Sequence, residues 1–206
     1  MDIVMLAAGT SSRMGKTNKM LLPYNNMSLV AHCCLQALCF LQKQNEESSL
    51  IVVTGYRRRS VEKALEPCKQ FIERTDAPIQ MLIVNNPNYR KGQFSSTKVG
   101  VSQVMDGRAF FISLADMPLI TEKHYETLSP LIGDNDAVRP FCKTEDGLVP
   151  GHPVLHAPWL KEKIASCPVD FSVSRILKSC KVSQPEFDDP SWALDIDEAS
   201  DYSALP

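Results

Sequence analysis

The chain has 206 residues, 44% of them hydrophobic and 22% charged, with a formal net charge of −2. Such a composition suits a globular protein with one sizeable core, and the slightly acidic balance argues against a general binder of nucleic acid or anionic membranes. No apolar run approaches the roughly 20 residues of a membrane helix, and Met1-Asp2-Ile3 lacks the basic segment that opens a signal peptide. The seven cysteines (33, 34, 39, 68, 142, 167 and 180) are odd in number and include no C-x-x-C spacing. Zinc and a disulfide framework are therefore not expected; reduced thiols in a cytoplasmic protein are.

The apolar run Ile3–Ala8 leads directly into Gly9, three small polar residues, Arg13, Gly15, Lys16 and Lys19. It reads as a buried strand that ends in a Gly-rich, cationic loop. Such a loop exposes backbone N–H groups, and Arg and Lys supply the charge that phosphate oxygens need. The pattern predicts a nucleoside-triphosphate site at the carboxyl end of the first strand. It is not a P-loop: five residues separate Gly9 from Gly15, where that motif has four. A glycine-rich turn without a ligand is the plain alternative, but it leaves an arginine and two lysines unexplained.

Farther along, Leu50–Thr54, Gln80–Val84 and Phe110–Ala115 read as further buried strands. The segments Ser28–Lys43, Ser60–Arg74 and Ser95–Met105 read as helices, with Ser28, Ser60 and Ser95 as N-caps. This alternation predicts an α/β fold: a three-layer α/β/α arrangement around a mostly parallel, doubly wound, Rossmann-like sheet. Ligands on such sheets sit beyond the carboxyl ends of the strands, so the Gly9 loop, Gly55 and Asp116 are expected to share one cleft. After about Thr121 the pattern changes. Helices are expected over Thr121–Ile132, Ala157–Ser166 and Ser172–Ser179. The strands Ala137–Phe141 and His152–His156 bracket the turn Lys143–Gly147, and Trp192–Ile196 reads as a late strand. With no repeat or linker, residues 1–206 are expected to form a single domain.

Several side chains stand out. Asp116 follows an apolar strand and precedes Met117-Pro118, a position from which one carboxylate can bind Mg²⁺; a loop or capping aspartate is the alternative. Asp195 and Asp197 share one side of the expected strand, or else begin an acid-rich helix. Arg57, Arg58 and Arg59 follow a strand and a tight turn, and for the last two a solvated helix start suffices. Ser95 and Ser96 either cap a helix or contact a ligand. His152, in Gly151-His152-Pro153, is either a packed histidine or a polar group facing a substrate.

The run Leu6-Ala7-Ala8-Gly9-Thr10-Ser11-Ser12-Arg13-Met14-Gly15, followed by Lys19-Met20-Leu21-Leu22-Pro23, resembles the signature of the molybdopterin nucleotidyltransferase family. That signature is L-A-[AG]-G-x-[SA]-x-R-[MF]-G, a short spacer, and K-x-L-L-P. The resemblance implies that the loop backbone from Leu6 to Gly9, with Arg13 and Lys19, holds the triphosphate. The three-residue spacer keeps Lys16 as an alternative to Lys19. Leu114-Ala115-Asp116-Met117-Pro118 resembles the family's D-x-P metal motif and implies Asp116 as a metal ligand. Asp195-Ile196-Asp197-Glu198-Ala199-Ser200-Asp201 resembles its D-I-D-T-P-x-D ending, which implies Asp197 as a second ligand, with Asp195 ranked below it. Thr54, Gly55 and Arg57 resemble the loop that shapes the base and sugar site. Ser95 and Ser96 match a segment near the nucleotide, and Gly151-His152-Pro153 resembles a turn on the acceptor side.

Within that family the Leu-Ala-Ala-Gly form accompanies CTP and the Leu-Ala-Gly-Gly form GTP. The resemblance thus implies the cytidylyltransferase branch: Mg²⁺-dependent transfer of CMP from CTP to the phosphate of molybdopterin carrying molybdenum, with release of pyrophosphate. The implied client is an apo molybdenum hydroxylase of the xanthine dehydrogenase type; no nucleic acid or membrane partner is implied. The rival readings are a guanylyltransferase or sugar-phosphate nucleotidyltransferase on the same fold, or a non-catalytic carrier of the cofactor.

Overall fold

The computed structural model describes residues 1–11, 18–145 and 147–205. Its central strand, β1 (Asp2–Ala7), is buried at every position, as an unbroken apolar run requires of a strand covered on both faces. A short hairpin of β2 (Pro23–Tyr24) and β3 (Met27–Ser28) leads into α1 (Leu29–Gln44). Ser28 caps this helix by accepting the Ala31 N–H at 3.4 Å. Then follow β4 (Ser48–Thr54), α2 (Arg58–Ala64), α3 (Glu66–Arg74), β5 (Ile79–Asn85), α4 (Gln93–Val101) and β6 (Phe110–Leu114). Strands β6, β1, β4 and β5 lie side by side and parallel.

The second half contributes α5 (Glu122–Leu128), β7 (Ala137–Val138), β8 (Phe141–Thr144), β9 (Gly147–Pro150) and β10 (Val154–His156). It ends with α6 (Leu160–Ser166), α7 (Val173–Leu177), β11 (Val182–Ser183), β12 (Glu186–Phe187) and α8 (Ala199–Ser203). β10 runs antiparallel to β6 and β7, which completes a seven-stranded sheet in the order β11-β7-β10-β6-β1-β4-β5. A smaller sheet has the order β12-β8-β9.

The residues of β1 alternate between two cores. Ile3, Met5 and Ala7 pack with Leu38 and Leu41 of α1 on one face; Val4, Leu6 and Ala8 pack with Phe94 and Val101 of α4 on the other. The layers are therefore α/β/α, as the sequence predicts. α4 approaches closely because Gly100 has no side chain: a Cβ there would lie 2.4 Å from Val4 Cγ1 and 2.7 Å from Val53 Cγ2. At the far end of the sheet the buried Asp2 carboxylate accepts the Ser49 and Met105 N–H groups, each at 2.9 Å, and pairs with Arg108. Asp2 thus fixes the edge opposite the cleft.

Five local expectations are corrected. The helix expected over 60–74 is two helices broken at Leu65, because Pro67 in the first turn of α3 lacks the N–H that a continuous helix would use. α2 starts after Arg57, in the left-handed region at φ 51°, so Ser60 lies inside the helix and does not cap it. Ser95 also lies inside its helix: α4 begins after Gly92, at φ 101°, and the Ser95 hydroxyl donates back to the Gly92 carbonyl at 2.8 Å. The turn near 143–147 joins β8 to β9, not the pair expected to flank it, and His152 lies just before β10. Finally, 192–196 forms no strand. Pro190–Trp192 is a single helical turn capped by the Asp189 carboxylate, and the chain beyond it is irregular. All seven cysteines are free thiols. Among the described residues no helix is long and apolar enough to cross a membrane.

Candidate active site

A cleft of about 690 Å³ opens at the carboxyl ends of β1 and β6, where Leu6, Ala8, Gly9, Lys19, Ser96, Asp116, Asp195 and Asp197 line it. Lys19 reaches it from a one-turn helix, Lys19–Leu21, capped by Asn18, whose Oδ1 accepts the Met20 N–H at 3.1 Å. The Lys19 N–H donates to Ser11 Oγ at 3.0 Å, and Ser11 itself adopts φ 52°. These bonds anchor the loop at both of its described ends. Arg13 and Lys16 lie outside the described residues, so the choice between Lys16 and Lys19 rests on Lys19's own surroundings.

The Lys19 ammonium is buried at 7% exposure and bridges two carboxylates: Asp116 Oδ2 at 2.5 Å and Asp197 Oδ1 at 3.0 Å. The tail that brings Asp197 is held by backbone bonds. The Ile196 N–H donates to the Asp116 carbonyl at 2.9 Å, and the Asp197 and Glu198 N–H groups donate to Asp201 Oδ2 at 2.9 and 2.7 Å. The Tyr202 hydroxyl donates to the Pro23 carbonyl at 2.5 Å. Asp195 and Asp197 therefore meet Asp116 because buried Ile196 is tied to the strand end between them. One oxygen from each of the three carboxylates lies within 4.8 Å of the others.

The electrostatics follow from this crowding. Burial pulls the Lys19 ammonium down, and the charges and hydrogen bonds of Asp116 and Asp197 outweigh it, so its pKa stands above the ordinary lysine value. Burial, then the charges of Asp116 and Asp197, push the Asp195 carboxyl above its ordinary value. Asp116 Oδ1 is buried and has no hydrogen-bond partner. An unpartnered buried oxygen within three converging carboxylates fits a hard divalent cation, which takes oxygen ligands, so the aspartate cluster can hold a metal.

The other sequence-predicted residues divide. Leu6, Ala8, Gly9 and Ser96 line the cleft, whereas Ala7 packs into the α1-side core. Thr54 is fully buried, its hydroxyl donating to the Val84 carbonyl at 3.3 Å, and Gly55 is enclosed by Ala8 and Tyr89. Arg57 is exposed, with its guanidinium 5.7 Å from the Tyr56 ring centroid. Ser95 and Ser96 each accept from Asn86 Nδ2 at 2.9 Å. Asn86 thus sets the start of α4 against the cleft, and sequence reasoning gave it no role. His152 lines a second cavity beside the cleft. Burial is the main force that lowers its pKa, to about 4, so the imidazole is neutral at physiological pH. Sequence reasoning also missed Tyr89, Arg90 and Gln93, which line the cleft from the segment leading into α4. Their position after a strand end was the available signal.

Residues 3–185 match the model of the MobA-like NTP transferase domain. The chain belongs to this family. It is 30% identical over 202 residues to the molybdenum cofactor cytidylyltransferase of Escherichia coli (strain K12), covering 98% of this chain and 93% of that protein. Among solved structures, Rv0371c from Mycobacterium tuberculosis H37Rv superposes with a TM-score of 0.73 at 22% identity, covering 98% of this chain and 96% of that one. A nucleotidyl transferase from Methanothermobacter superposes with a TM-score of 0.71 at 20% identity, over 98% and 94% of the two chains. These structures share the fold. The protein is a nucleotidyltransferase of the MobA-like type. The family match ends at residue 185, so the approach of Asp195 and Asp197 to Asp116 is read from geometry alone.

Proposed function

We propose that this MobA-like transferase moves CMP from CTP to the phosphate of molybdenum-loaded molybdopterin, forming molybdopterin cytosine dinucleotide and pyrophosphate. The observation that carries the reading is the convergence of Lys19, Asp116 and Asp197 at the carboxyl end of the central strands. The relative that is 30% identical over 98% of the chain is named for this activity. The acceptor phosphate is already an anion, so the chain needs no protein nucleophile and no strong base. Its work is positioning and charge stabilisation.

The backbone around Leu6, Ala8 and Gly9, with Arg13 and Lys19, holds the triphosphate. Asp116 and Asp197 hold Mg²⁺, and Asp195 stands as a third oxygen donor. When bound, Mg²⁺ supplies positive charge to the phosphate oxygens and lowers the cost of the charge developing on them. Ala7 continues the triphosphate loop, and Thr54, Gly55 and Arg57 belong to the loop that shapes the base and sugar site, joined to the first where the Tyr56 N–H donates to the Ala8 carbonyl at 3.3 Å. Ser95 and Ser96 hold the start of α4 beside the nucleotide. The Ala8 methyl restricts the room for a purine and favours cytosine. His152 faces the acceptor. The chain acts as one domain in the cytoplasm and hands its product to an apo molybdenum hydroxylase.

The test is Asp116→Ala. Turnover is expected to fall on the order of a hundredfold or more, as for loss of a preorganised charge, with the circular dichroism spectrum intact. Unchanged turnover would refute the metal assignment.

A further inference from the structure

The second cavity, of about 380 Å³, meets the catalytic cleft at Gly92 and Gln93. Phe94, Ile112 and Leu177 give it apolar walls, and Arg139, His152 and His156 face it as polar groups. Arg139 Nη1 donates to Ser174 Oγ at 3.0 Å, but its Nε is buried without a hydrogen-bond partner. Burial pulls its pKa down with no acid to offset it, and no described carboxylate forms an ion pair with it. Asp170 lines the same cavity, exposed to solvent, and is not paired with the guanidinium.

His156 is fully buried and neither ring nitrogen has a partner; the Phe110 and Val154 carbonyls lie near the ring without completing a hydrogen bond. Burial keeps both imidazoles neutral, His152 at about 4 and His156 at about 3, and the Arg139 charge adds to the effect. At neutral pH the cavity therefore presents a half-buried guanidinium, bonded to Ser174 but without a carboxylate, and uncharged ring nitrogens. Buried polar groups are normally hydrogen-bonded, so the orphan Nε donor of a guanidinium lining a partly apolar cavity leaves a place for an anion.

We infer that this cavity holds the far end of the acceptor, and that Arg139 pairs there with an anionic group distinct from the reacting phosphate. The inference rests on the proposed transfer reaction. Ile112 lines the cavity and Leu114 the cleft, on the same face of β6. These two lining residues are about 7 Å apart along the strand, at about 3.3 Å per residue, so the cavities adjoin. An acceptor reacting beside Asp116 can extend past Gly92 and Gln93 into the second cavity. The class that fits is a phosphomonoester attached to a flat ring system that bears a second anion. Molybdopterin belongs to that class, its dithiolene end being anionic as free thiolates or as the molybdenum-bearing group, and guanidinium suits it because it pairs with anions and stacks on planar rings.

The experiment measures three affinities for wild type and Arg139→Met. They are the affinity for molybdenum-free molybdopterin by fluorescence quenching, for CTP by calorimetry, and for inorganic phosphate by the rise in melting temperature. The variant is expected to bind molybdopterin at least tenfold more weakly, to keep its CTP affinity within twofold, and to lose part of the phosphate-induced rise. Arg139→Lys keeps the charge without the fork and should recover part of the molybdopterin affinity, which serves as the control if the methionine variant misfolds. Equal molybdopterin affinity and an equal phosphate response in wild type and both variants would overturn the inference. If wild type fails to bind molybdopterin while the phosphate response still depends on Arg139, the anion cavity stands and the assigned acceptor falls.

Discussion

Lys19 holds its ammonium between Asp116 and Asp197, while the proposed chemistry needs that ammonium on the triphosphate. Both demands would be met with metal and nucleotide bound, since Asp116 and Asp197 would then hold the metal and leave the Lys19 ammonium to the triphosphate. Lys19→Ala should then have opposite effects on the two ligands. Triphosphate binding should weaken by roughly tenfold to a hundredfold, the worth of a hydrogen bond to a charged group. Mn²⁺ binding in the absence of nucleotide should tighten, because a competing cation is gone. Calorimetric titration of each ligand checks this, and unaltered CTP affinity would transfer the role to Lys16. At this scale much was legible in sequence, since Lys19, Asp116 and Asp197 each sit in a recognisable motif. The resemblance ranked Asp195 below Asp197 and could not show their common placement; the irregular chain brings one oxygen of each within 4.8 Å of one from Asp116. Arg139 carried no sequence signal, because an arginine between a two-residue strand and Pro140 looks like a solvated loop residue.

Helix α4 links the core to the cleft: one end carries Ser96 and Gln93 into the site, and Gly100 rests on Val4 and Val53 near the other. Gly100→Ala would gain about 1 kcal/mol of helix propensity. Overpacking against two valines costs about 1–3 kcal/mol, because strand backbones buried on both faces cannot move aside. The variant is expected to melt several degrees lower and to bind CTP more weakly. A melting temperature equal to or above that of wild type would show that the helix shifts freely. The parallel strands and α1 were legible because a long apolar period constrains few alternatives. The errors came where local chemistry overrode the period. Pro67 divided one expected helix. Gly92, at φ 101°, moved the start of α4 ahead of Ser95, and the Asp189 cap made a helical turn where a strand was expected.

For the whole molecule, the buried neutral histidines set an acid limit. The folded-state pKa of His156 is lowered to about 3, chiefly by burial, whereas an unfolded histidine titrates near 6.5. Below about pH 6.5 the unfolded chain takes up a proton that the folded chain refuses, so stability falls with pH down to the folded value. The cost is about 1.4 kcal/mol per pH unit for that group. Melting temperatures from pH 7 to pH 4 should fall more steeply for wild type than for His156→Gln, and parallel curves would contradict the burial argument. The parallel half of the sheet was legible at this scale; the strand at His152–His156 was read too, but its antiparallel place between β6 and β7 was not, since a short apolar run does not say which strands it pairs with. The central claim, cytidylyl transfer at the Lys19–Asp116–Asp197 site, is tested most directly by one assay. Pyrophosphate release is followed with Mg²⁺ and molybdenum-loaded molybdopterin, CTP against GTP, and the product is identified by mass. The account predicts release with CTP in equal amount to molybdopterin cytosine dinucleotide and little release with GTP. A preference for GTP, or pyrophosphate without any dinucleotide, would contradict it.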